Sequence, residues 1–482
     1  GGRLMRERNP SVAVIGGGVS GLATAFHLVR EAAARDMAWD VRVFEREGTA
    51  GGKLRTRRAR GFLLEEGPNG FLDNEPATLR LVEQLSLEDE LLRSRDAARR
   101  RFLLRAGRLV EIPLSPVGFV RSPLLPPWAK ARVACEALVP PRRDLGKAAA
   151  DPSTDETVHD FGQRRLGREF AEVLLDPMVK GVFGGDSRRL SLASAFPKMV
   201  EMEREHGGLF RALIRRSAAG GNGRSRGGAA GPGGTLHGFR SGMAALPDAL
   251  AASLGDRVRC GASVTKVERR DGAWFVHTPA EEHGPFDAVL DASPAHSARD
   301  HLPGRALPGL LAQIPYAPMA VVTLAWEKSR MASPPDGFGM LIPTREKRDL
   351  LGVLWSASIF DGRAPDGQVL LRCMAGGAAH PEIMEREDDE LIDTCVRELR
   401  GLHGLAGNPS GAWVVRHERA IAQYEPGHLA RLEAMDAALA EWPGLFLAGS
   451  SYRGIAVNHC VAEAERTAVA IADALACATQ EV

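Results

Sequence analysis

The chain has 482 residues, a formal net charge of +1, 44% hydrophobic and 26% charged residues. That length suits about three domains of a globular protein, and the near-neutral balance provides no global field for nucleic acid. The cysteines are scattered without a C-x-x-C and the histidines without an H-E-x-x-H, so reduced thiols, a cytosol-like compartment and no metal site are expected. No secretory pattern precedes the first apolar run, and no window reaches ~18 uninterrupted apolar residues, so no membrane span is expected.

The first element is Val12-Ala13-Val14-Ile15-Gly16-Gly17-Gly18-Val19-Ser20-Gly21. An apolar β-branched run stops at three glycines, and a helical pattern follows to Ala34. This is the strand–turn–helix setting of a dinucleotide fingerprint. Gly16 makes the tight turn, Gly18 lets backbone approach a pyrophosphate, and Gly21 lets helix pack on strand. The N–H groups at the helix start offer an anion site. A second run, Val41 to Phe44, ends in Glu45, the acid expected to accept from a ribose hydroxyl. The chain from Arg35 to Asp40 between them predicts a long surface turn. Gly51-Gly52-Lys53 and Glu66-Gly67-Pro68-Asn69-Gly70 then set small residues and one basic side chain beside a pyrophosphate and flavin, where an NAD domain would return directly to its next βαβ unit. Each glycine pair alone also fits an ordinary turn.

Residues 10–86 therefore read as a βαβ unit plus this glycine-rich segment. Residues 87–213 read differently. A charged stretch to Arg101 leads into strand-like Phe102-Leu103-Leu104, a turn at Ala106-Gly107, and Leu109 to Ile112. A proline-broken apolar run follows from Pro113 to Trp128, flanked by Arg and Lys, with helix from Ala129. Such a surface sits in a headgroup layer without spanning it; the alternative is a buried loop packed on the next helix. Residues 214–234 read as a flexible Gly-rich loop. Residues 235–297 return to the nucleotide domain, with helix over 242–253 and strands over 258–267, 274–277 and 286–292. Residues 298–429 form a strand-rich block around 320–325, 352–356 and 369–374. Residues 430–482 end in a strand over 444–449, a turn and an amphipathic helix that complete the nucleotide domain. No internal repeat is present. The pattern is that of a two-lobed α/β oxidoreductase.

The glycine turns at Gly16 to Gly21, Gly51-Gly52-Lys53 and Glu66 to Gly70 resemble the FAD-binding half of the monoamine oxidase superfamily. Three further segments resemble the oxygen-dependent porphyrinogen oxidases within it: Lys180-Gly181-Val182-Phe183-Gly184-Gly185-Asp186, Pro335 to Pro343, and Gly449-Ser450-Ser451-Tyr452-Arg453-Gly454-Ile455-Ala456-Val457-Asn458-His459-Cys460. The resemblance spans nearly the whole chain outside 218–234. It implies a discontinuous Rossmann-like FAD-binding domain (10–86, 235–297, 430–482), a strand-rich substrate domain (298–429) and a mostly helical, membrane-associating domain (87–213).

The same resemblance implies oxidation of protoporphyrinogen IX to protoporphyrin IX by FAD, with dioxygen as acceptor and hydrogen peroxide released. Coproporphyrinogen III is the alternative substrate. It implies cofactor contacts at Gly16, Gly17, Gly18, Val19, Ser20, Gly21, Glu45, Arg46, Gly52, Lys53, Gly67, Pro68, Asn69, Gly70, Val264, Ile455, Ala456 and Val457. Val264 would lie on a strand and meet adenine through its backbone, and the last helix would favour an anionic reduced flavin through its N-terminal dipole. On the substrate side it implies Arg101 at a propionate, a placement that suits a guanidinium fork. Met178, Gly181, Phe338, Gly339, Leu341 and Met374 would line the macrocycle. Read alone, Arg101 fits a solvated arginine cluster and the apolar residues fit core. No side chain is assigned as a general base, since the cofactor carries the chemistry. Peripheral contact with the cytoplasmic face of a membrane and a homodimer are both compatible with the family.

Two departures fall beside the flavin: His459 stands where the family often carries Asp, and Ser450-Ser451 replaces its usual small-residue pattern. An amine or carotenoid oxidase would usually set an aromatic pair at the flavin, for which only Tyr316, Tyr424 and Tyr452 supply tyrosines. A cofactor-free escort protein of the same fold would lack Gly51-Gly52 or the C-terminal turn, and both are present.

Overall fold

The structure is a computed structural model that describes residues 9–218 and 234–480. Along the chain, β1 (Ser11–Ile15), α1 (Val19–Ala34) and β2 (Asp40–Phe44) come first. A hairpin of β3 (Arg101–Arg105) and β4 (Arg108–Glu111) precedes the helices α2 (Pro116–Arg121), α3 (Pro127–Ala134), α4 (Asp176–Phe183) and α5 (Leu209–Ala218). After β5 (Val258–Arg259) and β6 (Ala288–Asp291) come the strands β7 (Tyr316–Glu327), β8 (Gly339–Leu341), β9 (Leu350–Trp355), β10 (Gln368–Gly376) and β11 (Gly411–Ala422). The chain closes with α6 (His428–Leu439), β12 (Leu445–Leu447) and α7 (Val457–Gln480).

The first sheet is parallel, in the order β5-β2-β1-β6-β12. β1 is apolar throughout because both faces are covered. Val12 and Val14 pack toward α1 and α7, while Ala13 and Ile15 pack the other way, toward a three-stranded antiparallel sheet of Lys266–Arg270, Ala273–His277 and Glu282–Phe286. The layers are therefore helix, parallel sheet and antiparallel sheet. The chain crosses to either side of β1, so the crevice beyond Ile15 and Phe44 is the natural ligand site.

The second sheet has seven strands, β11-β7-β10-β9-β8-β3-β4, all antiparallel neighbours except β8 and β3. Its outer face packs on the helix Asp388–His403 through Leu391, Cys395 and Leu399.

Several sequence expectations shift. Residues 101–111 belong to the seven-stranded sheet rather than to the helical block, because the turn at Ala106 and Gly107, both at positive φ, folds β4 back on β3 and leaves β3 to extend β8. The strand expected over 258–267 is two strands in two sheets, β5 and Lys266–Arg270. Val264 therefore lies in the connection between them and not on a strand. Helix α5 continues to Ala218, so residues 214–218 of the loop expected over 214–234 are helical; residues 219–233 lie outside the described residues. The long turn after α1 is present, with Asp36 at φ 54° and Trp39 buried beneath it. All six cysteines are free.

The apolar 113–128 run divides between its two readings. Leu124 and Leu125 are buried on the following helices, while Leu114, Val117, Val120 and Trp128 face outward.

Candidate active site

The nucleotide crevice is built from backbone. The Gly16 N–H donates to the Phe44 carbonyl at 2.8 Å and ties the turn to the end of β2. The Glu45 carboxylate, 7% exposed, accepts from the Gly17 N–H at 2.7 Å and the Glu47 N–H at 2.8 Å, which holds the acid at the strand end. The segment after β5 runs beside it, Gly261 and Ala262 donating to the Glu47 and Glu45 carbonyls, so half-buried Val264 sits near the adenosine end. Arg46 is exposed and pairs with Glu47 at 3.2 Å.

The glycines differ in what surrounds them. A Cβ on Gly21 would stand 2.0 Å from the Gly16 oxygen, and one on Gly67 would stand 1.9 Å from the Lys53 oxygen. Both positions are closed by the protein's own backbone. A Cβ on Gly18 would meet nothing nearer than Gly52 Cα at 4.0 Å, so the space before it is open. Gly18 is also the N-cap of α1 and offers no side chain, so the N–H groups from Val19 and Ser20 onward keep the orphan donors of a helix start.

Cations converge on the same crevice. Burial depresses His296 to about 4, and the neighbouring charges that reinforce this are Arg419, Lys53, Arg46 and Arg299. Such a set fits a diphosphate. Lys53 donates to the backbone carbonyls of Arg419, at 3.1 Å, and Ala420 on β11, and burial lowers it to about 8. Asn69 is buried with neither amide atom partnered among the described residues. An orphaned buried amide costs about 1–3 kcal/mol, so this side chain fits a position against a polar ring edge. The site thus suits FAD at both ends.

The Gly67 to Gly70 loop is clamped from the second sheet. Arg372 on β10 donates to the Glu65 carbonyl at 3.0 Å and the Gly67 carbonyl at 2.5 Å, and His417 on β11 donates to the Glu66 carbonyl at 2.8 Å. Beneath it, the Glu65 carboxylate accepts from Thr56 Oγ1 at 2.8 Å and the Met243 N–H at 2.9 Å. Opposite lies the C-terminal turn. Glu463 accepts from the Gly449 N–H at 3.1 Å, and half-buried Ile455 and Ala456 lead into buried Val457 at the start of α7. The unusual serines are absorbed locally. Ser451 Oγ lies 2.7 Å from the Tyr316 hydroxyl, and both accept from the Ala295 N–H. Ser450 contributes its carbonyl to the Tyr424 hydroxyl at 2.8 Å. His459 is exposed on the first turn of α7.

Several residues that the sequence assigns to the substrate meet through strand register. Arg101 pairs with Gly339, Leu341 pairs with Gly352, and Gly352 pairs with Met374. Alternation along each strand then sets Arg101, Gly339, Leu341, Met374 and Arg372 on one face of the sheet. Because Arg372 reaches the Gly67 loop, this face looks toward the cofactor crevice. Helix α4 covers it: exposed Gly181 lies so close to Leu341 that a Cβ would come 2.8 Å from Leu341 Cδ2. Met178 is on the same helix, half-buried. The Arg101 guanidinium stacks 4.8 Å over the Phe338 ring, and burial lowers its pKa. Four of the seven sequence-assigned substrate residues thus share this face, Phe338 and Gly181 meet it through Arg101 and Leu341, and Met178 lies one turn from Gly181 on α4, so together they frame one candidate slot.

Arg372, His417 and His296 were not singled out from the sequence. Arg372 had a signal, a charge inside the apolar run Val369-Leu370-Leu371-Arg372-Cys373-Met374, because a buried charge requires a partner. Tyr424 and Tyr452 are buried, and the Tyr424 ring stacks on His428 while its hydroxyl is bonded to the C-terminal turn. Glu268, His277 and Glu282 bring ligand atoms within 4.8 Å of one another, but Lys266 and Arg270 already pair with the two carboxylates, which makes an ion-pair cluster.

The profile of the flavin-containing amine oxidoreductases matches residues 19–472. Protoporphyrinogen oxidase of Homo sapiens is 32% identical, over 96% of this chain and 98% of its own. Coproporphyrinogen III oxidase of Propionibacterium freudenreichii is also 32% identical, over 97% and 91%. A solved structure from Exiguobacterium sp. 255-15 superposes with a TM-score of 0.80 at 24% identity, over 96% of this chain and 99% of that one, and so shares the fold. The chain belongs to the flavin-containing amine oxidoreductases, with FAD as its cofactor.

Proposed function

We propose that the chain oxidises a porphyrinogen to its porphyrin, protoporphyrinogen IX in preference to coproporphyrinogen III, with dioxygen as acceptor. Six hydrogens leave the substrate in three two-electron rounds, and each round converts one dioxygen to one hydrogen peroxide. The observation that carries this reading is the slot itself: an apolar face with Arg101 stacked at Phe338, opening on the cofactor crevice. FAD, when bound, supplies the hydride acceptor. The protein's own part is orientation and exclusion of water. The Arg101 guanidinium would hold a propionate, Leu341, Met178 and Met374 would press on the ring faces, and the Gly181 carbonyl would accept from pyrrole N–H groups. The substrate's electron-rich pyrroles favour hydride loss, and the proton released in each round balances the one taken up when dioxygen becomes hydrogen peroxide, so the protein supplies no net proton.

Coproporphyrinogen remains the second reading because relatives of both names match at 32% identity. A paired turnover assay separates them, following porphyrin fluorescence and peroxide with each substrate. Faster turnover of protoporphyrinogen supports the proposal; faster turnover of coproporphyrinogen moves the enzyme to the second reading; turnover of neither overturns both.

The reading includes a peripheral contact with the cytoplasmic face of a membrane. It is supported by outward apolar side chains along residues 114–138: Val117 is 62% exposed, Trp128 63% and Leu138 80%, with Leu114 and Val120 also exposed. Patches of this kind mark partner or membrane surfaces, and cations on the rim favour a lipid headgroup layer. Arg121 closes α2, and Lys130 caps the Val120 and Ser122 carbonyls. Among the described residues no helix is long and apolar enough to cross a membrane. Flotation with anionic liposomes that is lost on Val117→Glu supports the contact. Absence of flotation, with a concentration-dependent dimer instead, would assign the patch to a second copy of the chain.

A further inference from the structure

The connection between β11 and α6, residues 423–427, is bonded on both sides of the active site. The Gln423 Nε2 donates to the Phe183 carbonyl at 2.8 Å. That carbonyl belongs to the last turn of α4, the helix carrying Met178 and Gly181, where carbonyls lack partners within the helix. The fit is close, since a Cβ on Gly185 would stand 2.5 Å from the Gln423 Oε1.

The next side chain points to the other wall. The Tyr424 hydroxyl donates to the Ser450 carbonyl at 2.8 Å and accepts from the Gly454 N–H at 2.9 Å, bridging the turn that precedes Ile455, Ala456 and Val457. Its ring stacks on His428, with centroids 4.2 Å apart and an interplanar angle of 15°. His428 is buried and donates from Nε2 to the Tyr452 carbonyl at 2.7 Å, which fixes its tautomer and ties the stack to the same turn. The backbone is anchored as well: the Tyr424 carbonyl accepts from the Ser191 N–H at 2.8 Å, and the Gly427 N–H donates to Asp155 at 2.9 Å.

We infer that Gln423 and Tyr424 are positioning residues for the oxidation, adjacent side chains that hold the helix over the substrate slot and the cofactor's C-terminal turn at a fixed separation. Neither touches the reacting atoms. Gln423 acts through α4 and Tyr424 through the 450–454 backbone. The Gln423 half rests on the porphyrinogen reading, whereas the Tyr424 half rests on the flavin alone.

Two variants of the full-length holoprotein test the pair. Tyr424→Phe keeps the ring stack and removes both hydrogen bonds of the hydroxyl. It should weaken FAD affinity roughly tenfold and shift the flavin's visible band and fluorescence, with the porphyrinogen KM within about twofold of wild type. Gln423→Leu should raise the porphyrinogen KM roughly fivefold and leave FAD affinity and kcat within about twofold. Should the leucine variant fail to fold, Gln423→Glu keeps the shape, replaces the donor by an acceptor and should raise KM in the same way. Should the phenylalanine variant fail to fold, 3-fluorotyrosine placed at 424 keeps the ring, alters the hydroxyl's hydrogen bonding and should shift the same band. Wild-type FAD affinity, spectrum and KM in folded variants would overturn the inference, and a lowered melting temperature without those changes would reduce both residues to a structural role. A wild-type protein that oxidises no porphyrinogen would remove the porphyrinogen reading while the FAD affinity and spectrum still decide the Tyr424 half.

Discussion

The cofactor crevice and the substrate slot are built in opposite ways. The crevice is backbone: glycine turns, helix starts and carbonyls clamped by Arg372 and His417, with the Glu45 acid held by two N–H groups. The slot is side chains: apolar groups on one sheet face, one stacked guanidinium and a helix laid across them. Where the backbone closes on itself, as at Gly21 and Gly67, it tolerates almost no change, because the atoms displaced by a substitution cannot move away. An apolar wall tolerates exchange of similar volumes and is specified chiefly by where its polar group sits. Mutations in the two regions should therefore fail in different ways.

The largest effect is expected for Gly67→Ala. Its Cβ would overlap the Lys53 oxygen, so the fold should lose about 3 kcal/mol and the purified protein should be colourless. Gly18→Ala sharpens the contrast, since the open space there leaves the melting temperature unchanged while FAD binding weakens. A matched pair of thermal melts and visible spectra reads both.

Next is Glu45→Ala. Removing this buried carboxylate, which accepts from the Gly17 and Glu47 N–H groups, should cost about 2 kcal/mol of binding, so FAD affinity should fall roughly thirtyfold by equilibrium titration. Once reconstituted, the variant should keep the wild-type porphyrinogen KM. Arg101→Ala should do the reverse, with KM raised roughly tenfold and flavin content unchanged. An Arg101 variant that loses FAD, or keeps its KM, would break the division between the two regions.

The smallest effect is a proton count. Lys53 is lowered to about 8 by burial, so between about 8 and the ordinary lysine range the unfolded chain carries a proton that the folded apoprotein lacks. Raising pH through that window should stabilise the apoprotein. A bound diphosphate favours the charged ammonium, so FAD binding at pH ~9 should take up a fraction of a proton, measurable by calorimetry in buffers of different ionisation enthalpy. Lys53→Met should abolish the uptake.

The same contrast explains what was legible in the sequence. The nucleotide half announces itself because Gly16, Gly18, Gly21 and Glu45 have little other reason to occur in that order after a strand. Val264 lies between two strands rather than on one, since the stretch 258–267 reads as one strand while Gly261, at φ 70°, breaks it between two sheets. The hairpin at 101–111 was recognised as strand–turn–strand, yet its sheet was not, because nothing local specifies the pairing of β3 with β8. The slot residues are legible only through resemblance: Leu341, Met374 and Phe338 look like core, and only register reveals that Leu341 and Met374 share a face with Arg101, while Phe338 meets it by ring stacking. The clamps from Arg372 and His417 span more than 300 residues of sequence and leave no spacing to read.

Anaerobic mixing of the FAD-loaded protein with protoporphyrinogen, followed by the flavin's visible absorbance, tests the central claim most directly. The account expects rapid bleaching that recovers on admitting dioxygen, with porphyrin fluorescence appearing in step, and much slower bleaching for Arg101→Ala at the same substrate concentration. A flavin that stays oxidised with both protoporphyrinogen and coproporphyrinogen would contradict it.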